Sequence, residues 1–112
     1  MQTIVEINEY VKQASKLLDE TEQNSIISHL ASLPESGEII QATGGVRKFR
    51  WTAKGKGKSG GVRIIHFYCD KDMPLFLLGV FSKSDKSNLS MAECNELKKL
   101  TTELKKLLRE KL

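Results

Sequence analysis

The order of apolar and polar residues changes from helical to extended and back again along the chain. Residues 3–7 alternate weakly, as a short strand does, and are followed by Asn8, which can cap a helix. Two groups of apolar residues then recur at helical spacing, and the second must end before Pro34. The groups are Val11, Ala14, Leu17 and Leu18, and then Ile26, Ile27, Leu30 and Ala31. This part predicts a short strand and two antiparallel helices, the second beginning at Thr21 or Glu22.

From Val46 onward the pattern is that of extended chain. Three segments, Val46–Trp51, Val62–Cys69 and Leu75–Ser82, are rich in β-branched, aromatic and aliphatic residues. Residues 70–74 have the composition of a turn and join the last two segments as a hairpin. The third segment is apolar on both faces, as a central strand is. The middle of the chain therefore predicts an antiparallel meander of three strands.

The last segment returns to helical spacing. Ser90 stands three residues before Glu93, a pattern in which the serine caps a helix and the glutamate reaches back. Apolar residues then recur three or four positions apart, opposite a basic face. These residues are Met91, Cys94, Leu97, Leu100, Leu104, Leu107, Leu108 and Leu112. We expect a long C-terminal helix that packs on the sheet, and the alternative is a stripe that binds a partner.

Positive charge is concentrated in one part of the chain. Between Ile39 and Cys69 there are seven Lys and Arg residues and no carboxylate, whereas the rest has 11 Lys and Arg against 14 Asp and Glu. A local cluster of this sign indicates a polyanionic partner, most often a phosphate backbone. The seven residues are Arg47, Lys48, Arg50, Lys54, Lys56, Lys58 and Arg63.

The basic cluster divides between strands and a loop. On the first strand of the meander, Lys48 and Arg50 share one face and Arg47 points to the other. In residues 53–61, lysine alternates with glycine, so the backbone can follow an irregular anion while each ammonium moves independently. The spacing of a P-loop is absent, which disfavours nucleotide binding.

Length and composition narrow the class of protein. A chain of 112 residues with 39% apolar and 29% charged residues predicts a single soluble domain, residues 1–112. No apolar run approaches the roughly 20 residues that span a bilayer, and the N-terminus lacks the basic flank of a secretory signal. We therefore expect a cytoplasmic protein. Cys69, Cys94, His29 and His66 lack the spacing of a metal site, so neither a metal nor another cofactor is expected.

Three motifs, in order, carry a resemblance to a known family. GGVRKFRW supplies the first meander strand, GGVRIIHFY the second, and LLGVFSKSDKSNLS leaves the third. Over nearly its whole length the chain resembles the RelE/HigB superfamily of bacterial toxins, and the basic, glycine-rich KGKGKSGG is similar to a loop of the HigB-type branch. The resemblance implies an α+β fold. It would be a small RelE-like domain with a short N-terminal strand, two antiparallel helices, a three-stranded antiparallel meander and a C-terminal helix.

The same resemblance implies a function. Toxins of this superfamily are ribosome-dependent endoribonucleases, or mRNA interferases, that cut messenger RNA in the decoding site. The 2′-hydroxyl next to the scissile phosphate attacks it, and no metal takes part. The expected partners are the ribosome, mRNA and a cognate antitoxin, which would be HigA-like and carry a DNA-binding domain. No membrane partner is expected.

Candidate site residues are carried over by position. Arg63 matches the strand arginine that contacts the scissile phosphate. Lys48 and Arg50 match a candidate general base or acid and a transition-state stabiliser, and Lys83 matches a basic position after the last strand. The further residues expected to bind RNA or the ribosome are Arg47, Lys54, Lys56, Lys58, Lys86, Phe81 and Tyr68, with Trp51 as another stacking candidate.

Because the chain departs from the family at two positions, the resemblance does not identify its general acid and general base. Its best-known members carry a tyrosine near the start of the last helix and an arginine a few residues earlier, and these positions are Ser90 and Ser84 here. Proton transfer then falls to Lys48 or His66. His66, however, fits better as a buried, hydrogen-bonded residue.

Two other functions compete with the nuclease. A non-catalytic RNA- or ribosome-binding module would carry the same basic segment, but it would tolerate Arg63→Lys because lysine keeps the charge. A DNA-binding role ranks lower, since the basic residues lie on strands and a loop rather than on a helix–turn–helix. Mapping of messenger cleavage separates the binding module from the nuclease.

Overall fold

The computed structural model describes residues 2–52, 61–83 and 88–110. Their order is that of the predicted α+β fold, with one short strand that the sequence did not predict. The elements are strand Ile4–Glu6 (β1), helices Asn8–Leu17 (α1) and Glu20–Ser32 (α2), strands Glu38–Ile39 (β2), Val46–Trp51 (β3), Val62–Phe67 (β4) and Leu75–Ser82 (β5), and helix Met91–Glu110 (α3).

The strands form one five-stranded sheet in the order β1-β5-β4-β3-β2. β3, β4 and β5 pair antiparallel, which confirms the predicted meander. β1 pairs parallel with β5, so β5 has a neighbour on each side and lies inside the sheet, as its apolar composition predicts. The added strand, β2, pairs antiparallel with the outer side of β3.

The first two helices begin at different caps from those the sequence suggested. α1 follows Ile7 without a side-chain cap, so the assignment of Asn8 as its cap is wrong. α2 begins one residue before Thr21, because Asp19 accepts a hydrogen bond from the backbone nitrogen of Glu22 at 2.7 Å. The Glu22 side chain accepts in return from the Asp19 nitrogen at 3.1 Å, which completes a capping box.

Helices α1 and α2 cover one face of the sheet. Their buried residues pack with alternate residues of β4 and β5, as the period of two in a strand requires. The fully buried members of this first core are Tyr10, Ala14, Ile26, Leu30, Val62, Ile64, Leu75 and Leu77.

Helix α3 packs on the opposite face, which confirms the expectation for the middle of its apolar stripe, whereas Met91 and Leu107 are exposed and Leu112 lies outside the described residues. Its cap is the predicted one: the Glu93 nitrogen donates to Ser90 Oγ at 3.1 Å, and the Ser90 nitrogen donates to Glu93 Oε1 at 2.9 Å. The second core contains Val46, Ile65, Phe67, Leu78 and Phe81, against which Leu97, Leu100 and Leu104 pack. Within the described residues, no helix is both long and apolar enough to cross a membrane.

A buried hydrogen bond fixes α3 to the turn before β3. Thr101 Oγ1 donates to the carbonyl oxygen of Thr43 at 2.9 Å, and Lys105 Nζ donates to that of Gly44 at 2.9 Å. Gly44 has a φ of 79°, and a Cβ there would lie 2.3 Å from Thr101 Oγ1. Glycine is therefore required for this close approach. These contacts hold α3 over the half of the sheet that contains Val46, and β3 continues beyond it to its basic residues.

Candidate functional site

A cavity of about 490 Å³ opens on the α3 face of the sheet. Most of its lining side chains are polar or charged, and they come from β3, β4, the segment before α3 and the start of β2. The lining residues are Gly37, Glu38, Lys48, Phe49, Arg50, Arg63 and Asn88. The cavity thus joins residues that are up to 51 positions apart in the sequence.

Strand register explains how three cations reach one cavity. In the β3–β4 pair, Lys48 lies opposite Ile65, and Arg50 lies opposite Arg63. Residues directly opposite each other in a sheet share a face, with Cβ atoms about 4.5–5.5 Å apart. The face shared by Lys48 and Arg50 was predicted from alternation alone, and the register adds Arg63 to it.

Arg50 and Arg63 form a cross-strand pair of like charge, which is unfavourable for the fold alone. Arg63 is only 9% exposed. Burial, and then the charge of Arg50, lower the pKa of Arg63 from its ordinary value, although a guanidinium stays protonated at cellular pH. Among the described residues, no carboxylate forms an ion pair with either arginine. A buried guanidinium and an exposed one beside it, neither with an anionic partner among the described residues, suit a bound phosphate.

The ammonium group of Lys48 is held beside the two arginines. Its Nζ donates to Asn88 Oδ1 at 3.2 Å, which connects β3 to the segment that leads into α3. Lys48 is half-buried and lies opposite Glu38 in the β2–β3 pair. An acid therefore stands on the same face as the three cations.

Arg47 and Tyr68 do not line the cavity. Arg47 points to the opposite face, where its Nη1 donates to the carbonyl oxygens of Glu35 and Gly37, each at 3.2 Å. Tyr68 packs against the first core, beneath the helices. The cavity therefore does not support the expectation that these two residues contact RNA.

The other candidates lie at the margin of the site or outside the described residues. Phe81 pairs with Arg63 across β4 and β5, but it is 9% exposed and belongs to the second core. Lys83 is exposed just after β5, and its backbone nitrogen donates to the carbonyl of Gly61 at 3.2 Å. Trp51 packs against the first core. Four predicted lysines and one departure position fall outside the described residues: Lys54, Lys56, Lys58, Lys86 and Ser84.

His66 lies behind the sheet, away from the cavity. It is fully buried, with its Nε2 at 2.8 Å from the carbonyl oxygen of Ser36, so Nε2 carries the hydrogen. Nδ1 is buried without a hydrogen-bond partner. Burial lowers the pKa of His66 to about 4, and the charges of Arg47 and His29 act in the same direction, against the bond to Ser36. The structure places His66 as the buried, hydrogen-bonded residue that was the preferred interpretation.

Sequence reasoning missed two polar residues that line the cavity, Glu38 and Asn88. Glu38 lies just outside the segment without carboxylates, and β2 is two residues long, too short for any periodic signal. Asn88 has no distinguishing sequence context. Among the described residues, no group of three or more His, Cys, Asp or Glu side chains is arranged to hold a metal ion.

Residues 31–112 match the family described as the RelE toxin of the RelE/RelB toxin–antitoxin system. This range includes every residue that lines the cavity. The fold is similar to that of the Escherichia coli toxin RelE, solved as a double arginine-to-alanine variant in the free state. The TM-score is 0.54 and the identity 14%, over 76% of this chain and 86% of that one. A conserved hypothetical protein from Helicobacter pylori, HP0894, is 20% identical over 75% of this chain and 97% of that one, with a TM-score of 0.35.

Proposed function

Because the chain belongs to the RelE toxin family, we propose that it is an endoribonuclease that cuts messenger RNA on the ribosome. The observation that carries this proposal is the meeting of Lys48, Arg50 and Arg63 in one cavity of about 490 Å³. RNA cleavage accounts for three cations around one cavity, since cleavage of a phosphodiester requires stabilisation of negative charge at phosphorus.

In the proposed reaction, the 2′-hydroxyl of one nucleotide attacks the phosphate that follows it. Arg63 binds the oxygens of the scissile phosphate, because a guanidinium presents two parallel donors and stays charged. Arg50, which lies opposite Arg63, stabilises the additional charge that develops in the transition state. Lys48 contributes a third cation and a transferable proton, and Lys83 contacts the RNA from the margin. These side chains supply positive charge without a metal.

We assign Lys54, Lys56 and Lys58, together with Lys86, to binding of RNA or the ribosome. Their sequence supports this assignment, since glycine alternates with lysine between β3 and β4. The same loop supports placing the chain in the HigB-type branch of the superfamily. The cognate antitoxin would then be HigA-like, with a DNA-binding domain and an acidic or amphipathic segment for the basic cavity.

Mapping of messenger cleavage in a translating extract tests the proposal. The unaltered chain should produce new RNA ends that require translating ribosomes. Arg63→Ala should lower the cleavage rate by about 10²–10³-fold, the usual loss when one donor to a developing anion is removed. Arg109→Ala is the matched control, because Arg109 is an exposed residue of α3 outside the cavity.

Arg63→Lys separates the nuclease from a non-catalytic binding module. A nuclease that uses the paired donors of arginine loses most of its activity with lysine, whereas a module that needs only charge keeps its binding. Absence of ribosome-dependent ends with the unaltered chain would rule out the nuclease.

A further inference from the structure

Glu38 is the one acidic side chain among the described residues that line the basic cavity. It lies directly opposite Lys48 in the β2–β3 pair, so the carboxylate and the ammonium are on the same face of the sheet. An acid at this place weakens the attraction of the cavity for a polyanion. Its presence among three cations therefore calls for a role other than RNA binding.

The turn that carries Glu38 is held by side chains from the rear of the sheet. Three consecutive carbonyl oxygens accept hydrogen bonds there: those of Glu35 and Gly37 from Arg47 Nη1, each at 3.2 Å, and that of Ser36 from His66 Nε2 at 2.8 Å. Arg47 and His66 are themselves opposite each other in the β3–β4 pair. The backbone that leads into Glu38 is thus fixed to the two strands that carry the cations.

The side chain of Ser36 adds two more bonds to the same turn. Its Oγ donates to the carbonyl oxygen of Leu33 at 2.7 Å, and so accepts from His29 Nε2 at 2.9 Å. The His29 ring stacks on Phe49, with ring centroids 5.6 Å apart. His66 and His29 therefore both hold the turn before β2, which the sequence did not indicate as the partner of either residue.

Gly37 brings the turn into direct contact with β3. Its φ is +92°, and a Cβ there would lie 2.2 Å from the carbonyl oxygen of Lys48. Only glycine allows this approach without a shift of the backbone. The backbone at Glu38 is therefore fixed relative to that of Lys48, which holds the carboxylate beside the cations of the cavity.

We propose that Glu38 is the general base of the RNA cleavage, an inference that rests on the proposed function. The 2′-hydroxyl gives its proton to the Glu38 carboxylate as its oxygen forms a bond to phosphorus. The bond from phosphorus to the 5′-oxygen of the next nucleotide breaks, and this oxygen takes a proton from the Lys48 ammonium. The products are a 2′,3′-cyclic phosphate and a 5′-hydroxyl end, and solvent returns the proton from Glu38 to Lys48.

The chemistry of the cavity residues favours Glu38 for this step. An ionised carboxylate only accepts hydrogen bonds and protons, whereas lysine and arginine carry their protons at neutral pH. Among the described cavity residues, Glu38 is therefore the group that is ready to accept the hydroxyl proton. Lys48, held by Asn88, is left as the proton donor.

Substitution of Glu38 by glutamine tests this role, because the amide keeps the shape and loses the basicity. Glu38→Gln should lower the single-turnover cleavage rate on ribosomes by about 10²–10⁴-fold, the range of general acid–base catalysis. Binding of a 2′-deoxy substrate analogue should be unchanged or tighter, since a negative charge is removed. Glu35→Gln is the matched control, with the same change of charge at an exposed residue on the same turn.

The dependence of the rate on pH distinguishes a base from a structural residue. The unaltered chain should cut more slowly in acid than at neutral pH, with a rise in rate between the two, and Glu38→Gln should lack this rise. Glu38→Asp should restore part of the rate and the rise. A rate for Glu38→Gln within threefold of the unaltered chain would overturn the assignment, and so would a loss that is equal at every pH. Absence of cutting by the unaltered chain would instead reject the nuclease itself.

Discussion

The buried histidine behind the sheet makes the stability of the protein depend on pH. His66 Nε2 donates to the carbonyl of Ser36, and Nδ1 faces no hydrogen-bond partner. Protonation of Nδ1 would place a charged N–H group in the core without an acceptor, which is costly. This is why burial is the first cause of the fall in the pKa of His66 from 6.5 to about 4.

The sign and size of the effect follow from the two pKa values. The unfolded chain binds this proton at a higher pH than the folded chain, so acid favours unfolding. The contribution of His66 to stability is complete above the unfolded pKa and is lost as pH falls toward the folded pKa. Since one pKa unit corresponds to about 1.4 kcal/mol, the whole shift amounts to about 3 kcal/mol. About 2 kcal/mol of this is lost between pH 7 and pH 5.

Urea unfolding of the unaltered chain and of His66→Gln, at pH 7 and pH 5, measures this contribution. Glutamine does not titrate, and its amide N–H can still donate to the Ser36 carbonyl. The free energy of unfolding of the unaltered chain should fall by about 2 kcal/mol more than that of the variant, because other titrating groups cancel in the comparison. Equal losses in the two proteins would refute the reasoning.

Three further predictions concern other parts of the molecule. Gly37→Ala should lower the free energy of unfolding by about 1–3 kcal/mol in thermal or urea unfolding, since its φ of +92° and its contact with Lys48 disfavour a side chain; an unchanged stability would show that the turn can relax. Thr101→Val should cost about 1–3 kcal/mol in the same assay, because the carbonyl of Thr43 loses its donor; a neutral effect would mean that another group replaces it. Alanine substitutions of the lysines in residues 53–60 should weaken ribosome binding and its salt dependence more than the cleavage rate of bound RNA; the reverse result would contradict their assignment to binding.

Much of the fold was predictable because its elements are long and periodic. Alternation in β3 correctly separated Lys48 and Arg50 from the residues that face α1 and α2, and the stripe and cap of α3 predicted its packing. β2 was not predictable, because two residues carry no periodicity and the strand exists only through its pairing with β3. The predicted start of α2, at Thr21 or Glu22, lies one or two residues after the observed start at Glu20, which Asp19 caps with Glu22 in a capping box.

The site was only partly predictable, since charge alone does not give direction. Alternation correctly placed Arg47 on the rear face, but its binding there to two carbonyls of the turn before β2 had no signal in the sequence. Glu38 was missed because its place beside Lys48 depends on a strand pair and on the close approach of Gly37. Contacts of this kind join distant segments and leave no local pattern.

The most direct test of the central claim uses purified ribosomes programmed with a defined messenger. The unaltered chain should produce discrete ends with a 2′,3′-cyclic phosphate and a 5′-hydroxyl, on ribosome-bound RNA only, and Arg63→Ala should form them about 10²–10³-fold more slowly. Intact messenger after incubation with a folded, unaltered chain would contradict the claim that the cavity of Lys48, Arg50 and Arg63 cleaves RNA.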